Sequence, residues 1–430
     1  MVEYEIDSSI WELYGLSSNP FSTSPLLVSG GIIPISSFYG RSEELGTIKN
    51  ILRSTGGSRI LISGESGVGK TSFVNFVRWQ AMGKYFTHYR EIAIQPEWTA
   101  NDFILNTISS FYSTIKLLHL EKKIDKNLLQ RLDSIFNYVR SQISGFSASI
   151  AGFGGGRTKS TTIGMQTLTY DFLIETFNIF VNEIRTKLGF GEIIVHYNNL
   201  EIYDDDDEKK YKLLFNKIRD FIQTPNIHFI FIGDMNIPTI IQSIPRVAQT
   251  FSESSITLET FSEKDIKNII EKRIEILKID KLKQTFPVED SVIDILHGIY
   301  DGNIRSIFNS LSTAVTMTVK QYPIKLNKND VIEILNNIAE RKFIKKLNNS
   351  EKTVLADMLK KSEITNMELS KNLKIKPQNV SKYINRLKEL NCIGLKRIDG
   401  TQKFYTVNPA VKWLLLKPSN FIRAPTKHDF

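Results

Sequence analysis

The chain has 430 residues, 41% of them apolar and 23% charged, proportions that suit roughly two to four globular domains and exclude a collagen, a wholly disordered chain and a disulfide scaffold. A lone cysteine, Cys392, excludes an internal disulfide and a multi-cysteine metal site; the opening residues lack the basic start of a secretory signal, and no apolar run approaches the ~18 residues of a membrane span, so the expected setting is cytoplasmic with no membrane partner. The net charge of +9 is uneven: residues 341–430 hold 20 Lys and Arg against 7 Asp and Glu, whereas residues 1–340 hold 35 against 39, which points to a polyanion-binding surface near the C-terminus.

Residues 1–30, with Ser17-Ser18-Asn19-Pro20 and further turn formers around Ser22 and Pro25, read as an arm laid over a domain. Residues 31–258 read as an α/β unit whose first strand, 59–63, is followed by a glycine-rich turn and a helix over 71–79. That turn, Gly64-Glu65-Ser66-Gly67-Val68-Gly69-Lys70-Thr71, has the G-x-x-x-x-G-K-[ST] pattern of a phosphate loop. Its glycines let backbone N–H groups converge on phosphate oxygens, and the following helix presents its positive end to the same anion. Gly64, Gly67, Gly69, Lys70, Thr71 and Ser72 are therefore candidate binding residues for ATP or ADP. Lys70 neutralises the β- and γ-phosphates, Thr71 offers a hydroxyl to Mg²⁺, and Ser72 is available to the α- or β-phosphate.

Further strand-type runs at 89–94, 192–197, 227–232 and 255–258 alternate with helix-compatible segments, which predicts a parallel sheet with helices on both faces. The Gly/Ser-rich stretch 143–169 reads as a flexible surface insertion or as a mobile hairpin touching a ligand or neighbouring subunit. The acidic run 204–208 reads as a solvated loop. After 258 the strands stop. Ser262 with Asp265 predicts a capped helix towards Leu277, and helical patterning over 292–299, 305–318 and 330–343 makes 259–340 an all-helical unit.

Residues 345–418 carry a second constellation, with 419–430 as a tail. A helix over 350–360 turns Val354, Leu355 and Leu359 inward, Asn366 caps a shorter helix with Leu369 and Leu373, and Pro377 opens a third whose buried stripe is Val380, Ile384, Leu387 and Leu390. Strands over 392–397 and 403–407 flank Asp399-Gly400, a hairpin turn. Three helices and a hairpin make a winged helix-turn-helix, which resembles MarR-like and initiator-type DNA-binding domains. Gln378, Asn379, Ser381, Lys382, Asn385 and Arg386 lie off the apolar stripe, where they suit base edges in the major groove of double-stranded DNA; Lys396, Arg397 and Lys403 on the wing suit phosphates.

Around the phosphate loop, Tyr39-Gly40-Arg41-Ser42-Glu43-Glu44-Leu45 resembles the G-R-x-x-E-L box of AAA+ ATPases related to archaeal and eukaryotic replication-origin initiators, and Tyr14-Gly15-Leu16 with Asn19-Pro20-Phe21 is similar to an opening found in prokaryotic members. Asp301-Gly302-Asn303-Ile304-Arg305 looks like their sensor 2 motif. The resemblance implies that Tyr39 and Gly40 lie beside adenine and that Arg305 reaches the γ-phosphate from a lid. It also places Arg246 where the family carries a trans-acting arginine finger, although an ordinary surface arginine reads equally well there, and it allows a homo-oligomer. Asp234 or Asn236 stands at the sensor 1 position. One departure stands out. The family ends an apolar strand in Asp-Glu; here the strand ends in Asn198-Asn199. Asn198 retains a carbonyl for the Mg²⁺ shell without charge, and Asn199 cannot serve as a general base. Losing such a group costs ~10² to 10⁴ in rate, so slow or absent hydrolysis is expected unless Glu201 or Asp204 substitutes. The neighbouring His196 reads as structural.

The combined expectation is an α/β P-loop NTPase with a parallel sheet, a helical lid and a C-terminal winged-helix domain, acting as an ATP-binding, DNA-binding switch. The alternatives are an active ATPase motor or loader on DNA, and a signalling NTPase whose winged helix binds a protein partner.

Overall fold

The computed structural model describes residues 9–417 apart from Thr55, 151–167, 252–254, Lys281, 319–321 and Gly400, and for Ser54 and 142–150 the helical backbone only. Six strands, β1 (Arg59–Gly64), β2 (Tyr85–Thr87), β3 (Ile92–Ala93), β4 (Glu192–Leu200), β5 (Ile227–Gly233) and β6 (Ile256–Leu258), form one sheet in the order β2-β4-β5-β1-β6, with β3 also on β4. Every pairing in this sheet is parallel. Alternate residues explain why it is covered on both faces. Leu61, Val195, Tyr197, Phe229 and Phe231 enter one core, while Ile60, Ile62, Ile194, Ile230 and Ile232 enter the other. The parallel arrangement sends all C-terminal strand ends to one edge, where the phosphate loop leaves β1 and ligands of such sheets bind.

Of the expected strand at 89–94 only Ile92–Ala93 is formed, as β3; β2 lies before it at Tyr85–Thr87, and both pair with β4. A side chain meets β4 between them. The His196 amide on β4 donates to Nε2 of His88 at 3.0 Å, so an imidazole takes the place of a backbone acceptor. Of the segment 143–169 read as an insertion, the helix Lys126–Ile150 reaches into the start and 151–167 lie outside the described residues. One further expectation is corrected. The acidic run is not a loop but the start of the helix Asp205–Ile218, with the Asp204 carboxylate accepting from the Asp206 and Asp207 amides. Carboxylates there complement the positive helix end.

After β6, the helices Glu263–Leu277, Asp290–Tyr300, Ile304–Thr318 and Lys328–Lys342 form the helical unit; the first is capped by Ser262 as its sequence predicts. The N-terminal arm is not a loose cover. Trp11, Tyr14, Leu16, Phe21 and Leu26 belong to the same core as these helices. The buried Arg273 guanidinium donates to the carbonyls of Pro20 and Ser22 at 3.0 and 2.8 Å and lies over the Phe308 ring.

The C-terminal unit contains the helices Asn349–Met358, Asn366–Leu373 and Pro377–Glu389 and an antiparallel sheet, β7 (Ile364–Thr365), β8 (Ile393–Asp399) and β9 (Gln402–Val407), in the order β7-β9-β8. The capping differs from expectation by a residue or two. Asn348 with Glu351 and Thr365 with Glu368 form the capping boxes, and Asn366 is the first residue of its helix. Gly400, the predicted turn glycine, lies outside the described residues. The segment Pro409–Leu416 returns to the helical unit: Trp413 Nε1 donates to Ser310 Oγ at 2.8 Å, and the Tyr300 hydroxyl donates to the Pro409 carbonyl at 2.9 Å. No helix among the described residues is long and apolar enough to cross a membrane.

Candidate nucleotide site and basic face

The phosphate loop joins β1 to the helix Lys70–Ala81. Glycine is required at two of its turns. Gly64, at φ 155°, would drive a Cβ to 2.5 Å from the Leu258 carbonyl, and Gly67, at φ 93°, would drive one to 2.8 Å from Asn303 Oδ1. Beside the loop is a cavity of about 430 Å³, lined by Ser66, Gly67, Gly69, Lys70, Thr71 and Ser72, by Tyr39 and Arg41, by Glu91, Asn198, Asn199 and Glu201 at the strand ends, and by Arg273 and Arg305 from the helical unit. Gly40 and Gly64 do not line it. Lys70 Nζ donates to the Gly64 and Glu65 carbonyls at 2.7 and 2.8 Å. Burial pushes this ammonium below its ordinary range against the opposing pull of Glu201 and Asp234. Ser72 Oγ accepts from the Leu26 amide at 3.1 Å, so the arm reaches the loop directly.

The lid-side motif is docked on that loop. Asn303 Nδ2 donates to the Ser66 carbonyl at 2.8 Å and Arg305 Nη1 donates to Ser66 Oγ at 3.2 Å. The Tyr39 hydroxyl accepts from Asn268 Nδ2 at 2.9 Å, which ties the other cavity wall to the helix Glu263–Leu277. Arg41, its pKa lowered by burial, pairs with Glu44, donates to the Val68 and Glu259 carbonyls and lies 4.0 Å over the Phe261 ring.

At the end of β4 the register shifts between Tyr197 and Leu200, and Asn199 adopts φ 73°, a left-handed conformation that asparagine tolerates. Asn198 is buried, with Nδ2 donating to Glu91 Oε2 at 2.9 Å. Of the two stand-in acids, Glu201 lines the cavity, while Asp204 is committed to its helix cap. Neither sensor 1 candidate lines the cavity: the Asp234 carboxylate accepts from the Ile202 and Asn236 amides at 2.8 and 2.7 Å, and Asn236 is exposed. Arg246 is exposed on the short helix Pro245–Ala248, away from the cavity.

His196 is a core residue, its ring 4.9 Å from that of His88. Because His88 Nε2 accepts from the His196 amide, its proton sits on Nδ1, which donates to the Arg90 carbonyl. Burial first, then the nearby Arg78, lowers both imidazoles well below the usual histidine range. The unfolded chain therefore takes up protons near pH 6.5 that the folded chain refuses, and stability falls as pH drops below that value. The expected loss at pH 6 relative to pH 8 is about 1 kcal/mol per imidazole, read from denaturant midpoints, and His196→Asn should flatten this slope.

Sequence reasoning missed Glu91, Arg41 and Arg273 as cavity residues. Arg41 stood in the quoted G-R-x-x-E-L box, and Arg273 interrupts an apolar stripe of Ile266, Ile269, Ile270, Ile274 and Leu277; Glu91 left no signal.

On the third C-terminal helix Gln378, Asn379, Lys382, Asn385 and Arg386 are exposed, and Arg386 pairs with Glu389 at 3.1 Å. Ser381 turns inward: its Oγ accepts from Asn366 Nδ2 at 2.8 Å and donates to the Pro377 carbonyl. On the wing Lys403 is exposed, but Lys396 and Arg397 both pair with Glu363, at 3.3 and 2.7 Å, and Arg397 lies 3.5 Å over the Phe404 ring. Their role is first to hold the wing. The wing also meets the α/β unit, where the Ile398 amide of β8 donates to the Tyr203 carbonyl at 3.1 Å and the Tyr203 hydroxyl donates to Glu201.

The cavity fits a nucleotide: its volume lies in the range of cofactor sites, the loop's backbone curls around a helix N-terminus, and Asn198 Oδ1 is a buried acceptor without a hydrogen-bond partner. No family model and no curated protein matches the chain. Among solved structures it is similar to the Aeropyrum pernix ORC2 protein in its ADPNP-ADP complexes (12% identity, 93% of this chain and 96% of that one, TM-score 0.46) and to the Aeropyrum pernix ORC1 protein in complex with DNA (14%, 90% and 94%, 0.43). It is also similar to Cdc6p from Pyrobaculum aerophilum (12%, 93% and 98%, 0.40). By its own topology the chain has a parallel α/β sheet, a helical unit, and a C-terminal unit of three helices with a three-stranded antiparallel sheet, the arrangement of a winged helix.

Proposed function

We propose that this chain is a nucleotide-dependent switch that binds double-stranded DNA, with ATP or ADP and Mg²⁺ in the cavity and the exposed face of Pro377–Glu389 on the duplex. The observation that carries the coupling is the hydrogen bond from Ile398 to Tyr203. Through it the wing is tied to the loop whose Glu201 lines the cavity, so a nucleotide that displaces Glu201 or Tyr203 changes the position of the wing. A ligand shifts such an equilibrium only by its differential affinity for the two arrangements. In the site, Lys70 and Arg305 would meet phosphate oxygens, and Thr71 and Asn198 would face the cation, which supplies charge neutralisation at the phosphates. Asn199 offers no base for water, which supports slow or absent turnover.

A second reading, an active ATPase, is favoured by Glu201, a carboxylate at the cavity. Retention of a labelled duplex by the full chain at moderate salt, with and without Mg²⁺-ATP, tests the first reading, and steady-state phosphate release tests the second. Retention that changes with nucleotide and release close to that of Lys70→Ala are expected. Release well above that control, abolished by Glu201→Gln, would establish the ATPase. Absence of duplex retention in both nucleotide states would leave the winged helix as a protein-binding module.

A further inference from the structure

The nucleotide site has lost both carboxylates at the end of β4, yet an acid stands directly behind the first amide. Glu91, just before β3, lines the cavity and accepts from Asn198 Nδ2 through Oε2 at 2.9 Å. Its other oxygen, Oε1, accepts from Asn75 Nδ2 at 3.1 Å, and Asn75 Oδ1 accepts from Arg78 Nη1 at 2.9 Å. Asn75 and Arg78 are 1% exposed and lie on the helix that follows the phosphate loop.

Donor and acceptor chemistry fixes the direction of every group in this chain. Arg78 only donates, so Asn75 presents its oxygen to it and its amide protons to Glu91. An ionised carboxylate only accepts, so Asn198 presents Nδ2 to Glu91. The consequence is at the far end: Asn198, 8% exposed, keeps Oδ1 as a buried acceptor without a hydrogen-bond partner in the cavity wall. Because Asn198 also lines the cavity, this free acceptor is available to a ligand there.

Resting on the reading of a Mg²⁺-nucleotide site, we propose that Glu91 is the positioning residue for its cation: it holds the Asn198 amide with the carbonyl oxygen towards the metal shell and supplies, from the position before β3, the negative charge that the end of β4 does not carry. Mg²⁺ commonly takes one or two protein groups and completes its shell with waters and phosphates, so one oriented carbonyl with a carboxylate behind it suffices. Among the described residues no cluster of three or more acids, histidines or cysteines offers an alternative metal cage. The arrangement retains cation binding while providing no base for water.

Glu91→Gln isolates this role. A glutamine can accept from only one of its two amide neighbours while donating to the other. With Asn75 held by Arg78, Asn198 must flip and present an NH₂ group to the cation. Affinity for a fluorescent ATP analogue, measured with Mg²⁺ and with EDTA, separates the effects. Wild-type chain should bind more tightly with Mg²⁺, and Glu91→Gln should lose about 10- to 100-fold of that gain, with the EDTA affinity unchanged. The double variant Glu91→Gln/Asn198→Asp moves the carboxylate one residue across the hydrogen bond and should regain the Mg²⁺ response. Asn198→Asp alone places two carboxylates in contact and should not. If Glu91 served only to balance the buried Arg78, Glu91→Gln would lower the melting temperature and leave the Mg²⁺ response intact, which overturns the proposal. So does a double variant without recovery. Wild-type chain that ignores the nucleotide with and without Mg²⁺ refutes the nucleotide site itself, a distinct outcome.

Discussion

Lys70→Ala is expected to reduce nucleotide affinity on the order of 100-fold while leaving the melting temperature of the nucleotide-free chain nearly unchanged. Lys70 is the cation of the phosphate loop, and its ammonium donates to the Gly64 and Glu65 carbonyls. Partial burial already lowers its pKa, so a phosphate that takes up these donors gains charge-assisted hydrogen bonds in a poorly solvated setting. Two such bonds at about 1.5 kcal/mol each correspond to the stated factor. The fold should tolerate the loss, because Glu65 is exposed and its carbonyl can take water in place of the ammonium. Isothermal titration with ATP and ADP checks this. An affinity within about twofold of wild type would remove the phosphate loop from the binding site.

The second large effect concerns the duplex. Lys382→Ala combined with Lys403→Ala should weaken DNA binding roughly 10- to 100-fold and reduce the slope of log affinity against log salt by about 2, one for each phosphate that is no longer neutralised. Both side chains are exposed, one on the third helix and one on the wing. Arg397→Ala should behave differently. Its guanidinium is shared between Glu363 and the Phe404 ring, and the hydrogen bond to Arg397 is the main cause holding the Glu363 carboxyl below its usual range. Its removal should lower the melting temperature and leave the salt slope close to wild type. Fluorescence anisotropy over a salt series distinguishes the two; an unchanged slope in the double variant would take the winged helix off the DNA.

The residues that sequence reading placed well are those whose environment is set by near neighbours. The Lys70–Ala81 helix follows from the loop pattern before it, Ser262 and Asp265 cap a helix from within one turn, and Val380, Ile384 and Leu387 bury one face of the third C-terminal helix by spacing alone. The differences arise where a distant side chain intervenes. His88, between β2 and β3, meets β4 through the amide of His196, 108 positions away, so the extended run begins later than its own segment suggests. Arg397 and Ser381 looked free for DNA because nothing in their own segments shows Glu363 or Asn366 reaching them. The amides at Asn198-Asn199 were visible in the sequence, whereas the acid behind them, Glu91, was not, since only the parallel pairing of β3 with β4 brings it there.

If the cavity and the basic face form one switch, each ligand must alter the affinity of the other by the same factor. The decisive measurement is therefore a titration of Mg²⁺-ATP analogue onto the full chain with and without saturating duplex, matched by a titration of duplex with and without saturating nucleotide. Equal shifts in both directions, of about 5- to 150-fold, are expected. Nucleotide affinity that is the same with and without DNA would mean that the hydrogen bond between Ile398 and Tyr203 transmits nothing.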